Sequence, residues 1–530
     1  MEKKQIAIIG AGIAGLIACK YCISKGFNPI VFEFESRIGG VWAKTLKETR
    51  LQIPKTMYQF SDYPWPASVT DDTPTQQEMI DYIHSYAKHF QLLPHINFCS
   101  KVKSISYDGP SSDSWVLWNG TGEPFPPQGM WNITVENTKT ATTQVYTVDF
   151  LILCIGRNKD VPNLPKFPQG KGLDVFQGKA IHSSEYSALD NDAAEQLIKG
   201  KKVVVVGLGK SGLDIARSCA EINAQGMVLI LILDESGPEH PCTVVYRHDH
   251  WKLGDWYPMG IPLINLIFGR FPVLGVHKPE QGFLLSLVAT LLSPVRWTLL
   301  KLLESHTKMT LPLAKYNMVP EQGLGEDMAS GLVMHVPDPD DFFDALKKGS
   351  IKLKKTPTYN MYEKGFSIVE QEEKTRIEAD IAIFSTGFNG VEKVKDIFES
   401  PKFGHFISDS PRVGLYRECI HPRIPQLGIL GFSDGLSSLY TSEMRCKWLA
   451  AVLEGSVKLP NINEMQKNIK EWDEYMKQAS GHNHYRSFLG SIEIWYSDVV
   501  CKDMGVNPMR KKGLFANMFE AYGPSDYADI

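Results

Sequence analysis

The chain has 530 residues, 43% hydrophobic and 22% charged, with a formal net charge of -4. That length holds roughly two to four domains, each able to bury a core, and the near-neutral balance, without a basic tail or Lys/Arg stripe, excludes nucleic acid as an expected partner. Nine cysteines fit a reducing compartment with free thiols, and MEKKQIAIIG enters a strand with no leader, so a cytoplasmic protein is expected.

In chain order, QIAIIG at residues 5–10 reads as a buried strand. AGIAGLIACKYCISKG reads as a helix closed by Gly26, and NPIVFEF as the next strand, ending near Glu33. This is one βαβ unit. Its turn comprises Gly10, Ala11, Gly12, Ile13, Ala14 and Gly15. Gly10 allows a tight turn, Gly12 a backbone approach to pyrophosphate, and Gly15 close helix–strand packing. The helix N-terminus supplies N–H groups and a positive dipole end. Glu33 is placed to bind both ribose hydroxyls and to repel a 2′-phosphate, so FAD or NAD is expected here. Glu35 points to the other strand face and is expected to be solvated. Cys19 and Cys22 form a CxxC on the helix. A redox pair is one reading, but nothing nearby resembles a redox loop, so two core residues are expected. In RIGGVW, residues 37–42, Gly40 permits a second backbone approach to the same cofactor and Trp42 is placed to cover its ring system; an ordinary glycine turn is the alternative.

Residues 108–130 form a Gly/Pro/Ser-rich surface loop. VDFLILCIG then closes a strand at Gly156. GKKVVVVGLGKSGLDIARSCA, residues 200–220, repeats the strand, glycine turn and helix with Gly207, Leu208, Gly209, Lys210, Ser211 and Gly212. The run at 226–241 is an insertion of unassigned structure. CTVVYR reads as the matching second strand. It ends in Arg247, a cation suited to a 2′-phosphate, so NADPH is expected, with a solvated strand-end charge as the alternative. Residues 253–303 are an apolar helical insert. Its tract Gly282–Trp297 is too short to span a bilayer and is interrupted by Pro294 and Arg296. Core or a lid over a substrate channel is expected there, a membrane surface being the alternative. Asp255 and Arg270 are the charges there able to pair with a zwitterion, or else to stay solvated. ADIAIFSTGF, containing Thr386 and Gly387, reads as another half-domain's last strand.

The expected fold is α/β, with two Rossmann-like dinucleotide-binding domains, the second inserted in the first. The boundaries are 1–170 with 330–450 for the FAD domain, 171–329 for the NADPH domain with its insert, and 451–530 for a C-terminal helical extension. Two such sites in one chain form a device for moving a hydride, with FAD and NADPH as the pair. No haem, iron–sulfur or zinc spacing is present, so no metal is expected and O₂ is the acceptor left over.

These residues resemble the flavin-containing monooxygenases. FQGKAIHSSEY carries that family's fingerprint FxGxxxHxxx(Y/F) at Phe176, Gly178, His182 and Tyr186. Thr386, Gly387 and Phe388 resemble its TG motif, and LQIPKTMYQFSDYPWP, residues 51–66, its SDFP segment. The tail IWYSDVVCKDMGVNPMRKKG looks like the plant branch typified by pipecolate N-hydroxylases of systemic immunity. Tyr186, where Baeyer–Villiger relatives carry Trp, argues against those relatives, and GKSGLDIA differs from the GNSGMEIA of the auxin-forming branch.

The resemblance implies that FAD is reduced by NADPH, adds O₂ to give a C4a-hydroperoxide, and passes one oxygen to an amine nitrogen or a sulfur while NADP⁺ stays bound. His182 is then a clasp between domains beside the pyridine nucleotide rather than a catalytic acid. Gln52 aligns with an Asn whose amide helps the oxygenated flavin in relatives. TSEMRCKW, residues 441–448, looks like a helix flanking the flavin. N-hydroxylation of a small amine or amino acid is the leading expectation. An S-oxygenase of thioethers, an NADPH oxidase releasing peroxide and a nucleotide-binding scaffold without activity are the alternatives. Association with the endoplasmic reticulum surface goes with the membrane alternative. Substrate identity and oligomeric state are not encoded in these motifs.

Overall fold

The computed structural model describes residues 3–109, 123–125, 129–157, 161–224, 239–336, 339–370, 373–409, 413–481, 483 and 488–530. The insertion at 226–241 falls almost wholly outside them, as does most of the 108–130 loop.

Short runs of Val, Ile, Leu and Phe that are apolar on both faces form parallel strands covered on both sides. Five of them, in the order Leu427–Ile429, Phe150–Leu153, Gln5–Ile9, Asn28–Phe32 and Ile96–Asn97, make one all-parallel sheet. Five others, in the order Lys179–His182, Ile381–Phe384, Val203–Val206, Cys242–Tyr246 and Ile351–Lys355, make a second.

The internal repeat extends well beyond the glycine turns. In each unit the first strand lies between its second strand and its fourth, the third lies outside the second, and a fifth edges the fourth. Each unit also carries a three-stranded antiparallel sheet between its third and fourth strands. In the first unit this is Ser100–Asp108, Met130–Asn137 and Thr143–Val148. In the second it is Tyr359–Tyr362, Gly365–Glu370 and Glu373–Glu378.

The expected return to the first domain at residue 330 is therefore corrected. Ile351–Lys355 and Ile381–Phe384 pair inside the second sheet, so the second unit runs from Lys179 to at least Phe384. The chain is back on the first unit at Ile397, whose carbonyl accepts from the Ile105 N–H at 2.8 Å. ADIAIFSTGF is the second unit's fourth strand, as VDFLILCIG is the first unit's. A strand pattern alone does not say which sheet a strand joins.

Two crossings connect the units and run side by side. Pro162 bridges Phe388 in antiparallel sense, the Asn163 N–H donates to the Gly387 carbonyl at 2.9 Å and the Asn389 N–H to that of Val161 at 2.8 Å. The fingerprint segment follows the first crossing. A Cβ on Gly178 would lie 2.5 Å from the Asp380 carbonyl, so only glycine lets Lys179–His182 begin beside Ile381–Phe384.

The helix Ser438–Glu454 is buried from Leu439 to Leu453, including Glu443, Arg445 and Lys447. Glu443 accepts from the Tyr21 hydroxyl (2.8 Å) and the Ser61 N–H (2.7 Å), which ties the SDYP segment to the core. Cys19 and Cys22 are buried in the same core, and burial pushes the Cys19 thiol up to about 12. All nine cysteines are free.

The apolar insert departs from expectation. Its tract is one helix, Phe283–Thr310, running through Pro294. Proline removes one N–H, and the orphaned Thr290 carbonyl accepts instead from the Ser293 hydroxyl at 2.9 Å. The helix is not core: Phe283, Leu284, Leu291 and Trp297 are all exposed. By length and composition it is long enough to cross a membrane. Arg270, taken as a solvated charge or a zwitterion partner, is buried against Asp498 of the C-terminal helix Glu493–Asp503.

Replacing Gly178 by Ala is expected to lower stability by about 1–3 kcal/mol through overpacking, read as a lower thermal midpoint with the flavin absorbance of the folded protein unchanged.

Candidate active site

The first glycine turn lines a cleft of about 630 Å³. Gly10 has φ +105°, and a Cβ there would lie 2.5 Å from the Cys154 carbonyl. Gly12 and Gly40 face each other across the turn; a Cβ on Gly40 (φ +59°) would come 3.0 Å from Gly12 Cα. Both line the cleft with Ile13, Ala14, Gly431 and Asp434. Gly15 sits under the Gly10 carbonyl, where a side chain has no room. The first helical bond is Leu16 N–H to the Gly12 carbonyl (3.0 Å), so the preceding N–H groups belong to the cleft's rim. Glu33 is buried in the wall. It accepts from the Ala11 N–H at 2.6 Å and the Glu35 N–H at 2.9 Å, which fixes the carboxylate at the turn. Glu35 itself pairs with Lys44 at the surface. Backbone without side chains, a helix N-terminus and an anchored carboxylate fit the pyrophosphate and ribose of FAD. Trp42 is not among the residues lining the cleft; it is buried and its indole N–H donates to the Tyr58 hydroxyl at 3.3 Å.

The second turn repeats the geometry. Gly207 has φ +110°, and a Cβ there would lie 2.5 Å from the Ser385 carbonyl. Gly212 packs under Gly207 as Gly15 does under Gly10. Gly209 faces open space, Leu208 is buried and Ser211 is exposed in the helix's first turn. Lys210 is committed to Asp214 at 2.5 Å, and Asp214 also accepts from the Thr49 hydroxyl of the first unit at 3.0 Å. Arg247 ends the second strand exposed, 5.7 Å from the Tyr359 ring centre, and makes no ion pair among the described residues. An open cation at this place fits a 2′-phosphate.

The seam between the units holds the other expected residues. Leu46 is buried in the second core, whereas Leu51 and Ile53 are buried in the first. Gln52 lies between them, half-buried, and its amide makes no hydrogen bond among the described residues. His182 is buried with both ring nitrogens committed. Nδ1 accepts from the Ser184 N–H at 3.2 Å, which leaves Nε2–H to donate to the Gly387 carbonyl at 3.0 Å. Burial lowers its pKa, so the neutral ring is favoured. It therefore clasps the second crossing and has no ring nitrogen left for a nucleotide. The Thr386 hydroxyl likewise donates within the crossings, to the Asn163 carbonyl at 2.5 Å.

Sequence reasoning missed the support that the tail gives to the segment beside the cleft. Glu493 is fully buried and accepts from the Ser437 N–H at 3.1 Å, beside Gly435 and the Asp434 that lines the cleft. Burial pushes its carboxyl up to about 8, against the opposing pull of the Ser437 and Leu436 N–H groups and Arg445. A lone Glu in a helical tail carries no signal of this placement.

Two glycine turns of the same geometry on two linked parallel sheets, one beside an anchored carboxylate and one beside an open guanidinium, are the arrangement of a two-dinucleotide oxidoreductase. The profile of the flavin-binding monooxygenase-like family matches residues 3–232 and 311–516, and the chain belongs to that family. It is a flavin-dependent monooxygenase. It is 35% identical to a probable flavin-containing monooxygenase 1 of Arabidopsis thaliana, over 99% of this chain and 96% of that one. It is 26% identical to an N-oxide-forming dimethylaniline monooxygenase 2 of Rattus norvegicus, over 95% and 83%. Among solved structures it shares the fold of S-allyl-L-cysteine S-oxygenase from Allium sativum, with TM-score 0.57 and 17% identity over 96% of this chain and 89% of that one. The family match leaves out residues 233–310, which hold the whole of the apolar insert.

Glu493→Gln is expected to change the pH dependence of stability with a definite sign. A carboxyl whose folded pKa is raised stabilises most below its unfolded value and loses that contribution as pH rises through about 8. The wild-type thermal midpoint should fall between pH 5 and 8 by more than that of the Gln variant.

Proposed function

We propose that the chain transfers one oxygen atom of O₂ to a nucleophilic nitrogen of a small amine or amino acid. The observation that carries this is the seam. The amide of Gln52 has no partner among the described residues, on the segment that passes from Leu46 in the second core to Leu51 and Ile53 in the first, while His182 is wholly committed to structure, which supports a site that offers orientation rather than an acid–base pair. A soft nucleophile needs no such pair. When bound, reduced FAD supplies the activated oxygen. The chain's own residues do the rest. Glu33 holds the ribose of FAD, and Gly12 and Gly40 let its pyrophosphate approach. Arg247 holds the 2′-phosphate of NADPH. Gln52 donates its amide N–H toward the reacting oxygen, and the paired crossings with His182 keep the units closed against water. The resemblance to a relative named as N-oxide-forming supports nitrogen over sulfur; the S-oxygenase likeness rests on fold alone.

The test supplies NADPH and O₂ with primary amines, amino acids and thioethers and compares oxygenated product with NADPH consumed. N-oxygenated product matching NADPH is expected, and Gln52→Ala should raise the fraction lost as hydrogen peroxide about tenfold. Sulfoxide as the sole product would move the assignment to sulfur. Peroxide without any oxygenated product would sink it.

A second reading concerns location. The exposed face of Phe283–Thr310 continues through Phe271, Phe519 and Phe515, with ring centres 5.0 and 4.9 Å apart, to exposed Leu514. Exposed Lys301 and Lys308 lie on the same helix, and exposed Lys512 two residues before Leu514. An apolar face with basic flanks suits a lipid surface, and we propose that the enzyme lies on one. It should float with anionic phospholipid vesicles, and Leu514→Asp with Phe515→Asp should leave it in the soluble fraction; failure of the wild-type protein to float would exclude the reading.

A further inference from the structure

The insert encloses a cavity that neither nucleotide cleft uses. It measures about 70 Å³ and lies among the helices Leu263–Ile267, Arg270–Leu274, Phe283–Thr310 and Leu324–Ser330, with Gly490 and Ser491 also in its wall. Leu263, Ile267, Leu299 and Leu303 make most of its lining apolar.

Two polar groups in that wall lack partners. The Arg296 guanidinium makes no hydrogen bond or ion pair among the described residues, and the Ser491 hydroxyl is buried and unbonded. Three nearby acids are committed elsewhere. Asp498 takes Arg270, Glu304 takes Lys301 and the Leu324 N–H, and Asp327 takes His250 and the Trp251 N–H. Among the described residues, the Tyr475 hydroxyl is the one ionisable group that interacts with Arg296. Burial lowers the Arg296 pKa, the mark of a cation without its counter-charge. A guanidinium in apolar surroundings is unfavourable until an anion meets it, and a carboxylate matches its fork.

A second cavity of about 230 Å³ shares the walls Leu253, Leu263 and Leu303 and offers room for a tail. One cation and one hydroxyl suit a single negative charge rather than a phosphate dianion, and the leucines suit hydrocarbon.

We propose that this pocket binds a small apolar monocarboxylate, with Arg296 and Ser491 holding the carboxylate and the insert's leucines the tail. Arg296 and the leucines of the helix Phe283–Thr310 lie in the insert that the family profile leaves out, whereas Leu324, Met328, Gly490 and Ser491 come from the matched part of the chain. The pocket also touches the flavin wall through one segment. The Leu489 N–H donates to the Asp434 carbonyl at 2.9 Å, one residue from Gly490, and Glu493 holds the Ser437 N–H at 3.1 Å, two residues from Ser491.

The acid has two sources: the carboxylate end of the substrate, which rests on the proposed amino acid N-oxygenation, or a separate ligand. Binding is measured without turnover, so the site stands or falls apart from that activity. Octanoate is titrated into the FAD-loaded protein by calorimetry, with octanol as the uncharged control. One saturable site is expected for octanoate and none for octanol. Arg296→Gln should weaken it at least tenfold, Arg296→Lys less, and Ser491→Ala about threefold, with Lys301→Gln on the same helix unchanged. Variants are compared at equal flavin content and thermal midpoint. Unaltered octanoate binding by Arg296→Gln, or no saturable binding by wild type, overturns the proposal and leaves Arg296 a hydrated cation. Octanoate that raises KM for an amino acid but not for its decarboxylated amine identifies the pocket as the substrate's carboxylate seat. Octanoate that binds without affecting either KM identifies a separate ligand site.

Discussion

Two carbonyl oxygens, those of Cys154 and Ser385, lie 2.5 Å from where a side chain on Gly10 and on Gly207 would have to start. Everything at the two clefts depends on that contact. It lets each first strand end tight against its fourth, turns the chain sharply, and starts the next helix with its N–H groups at the rim. The same step recurs in register: the Gly10 N–H bonds the Phe32 carbonyl at 2.8 Å and the Gly207 N–H the Val245 carbonyl at 2.9 Å. One geometric solution is used twice, once in each unit.

What differs between the copies is the group at the end of the second strand, on which the proposed choice of nucleotide rests. The first ends its second strand in a buried carboxylate tied to the turn, and the second ends it in an exposed guanidinium. The units are then held at a fixed separation by the paired crossings, by His182 on the Gly387 carbonyl, and by Thr49 on Asp214. A neutral, doubly bonded histidine suits that task, because it locks a backbone position without placing a titrating charge beside the cofactors.

The tail and the insert are an accessory layer joined to the core by buried ion pairs. Arg270 meets Asp498, and Arg417 meets Asp503 and Glu280, so the C-terminal helix holds the insert against the first unit. Partners removed singly from such pairs leave an uncompensated charge, which couples the integrity of the insert to that of the tail. Glu493 extends the coupling to the wall of the flavin cleft.

The sequence by itself determined both glycine turns, the acid and the cation that distinguish them, the fingerprint at Phe176–Tyr186 and the strands that flank them. These are local signals: a positive φ, a period-free apolar run or a strand-end charge is written in consecutive residues. Only the tertiary structure decided which sheet Ile381–Phe384 joins, that Trp42 turns to Tyr58, that His182 is fully committed, that Arg270 is buried while Arg296 stands unpaired, and that Glu493 reaches the flavin wall. Those outcomes depend on partners hundreds of residues away in some cases, and on which face of a helix finds cover. Neither composition nor periodicity encodes them, because a charge or a ring acquires its role from the groups packed around it.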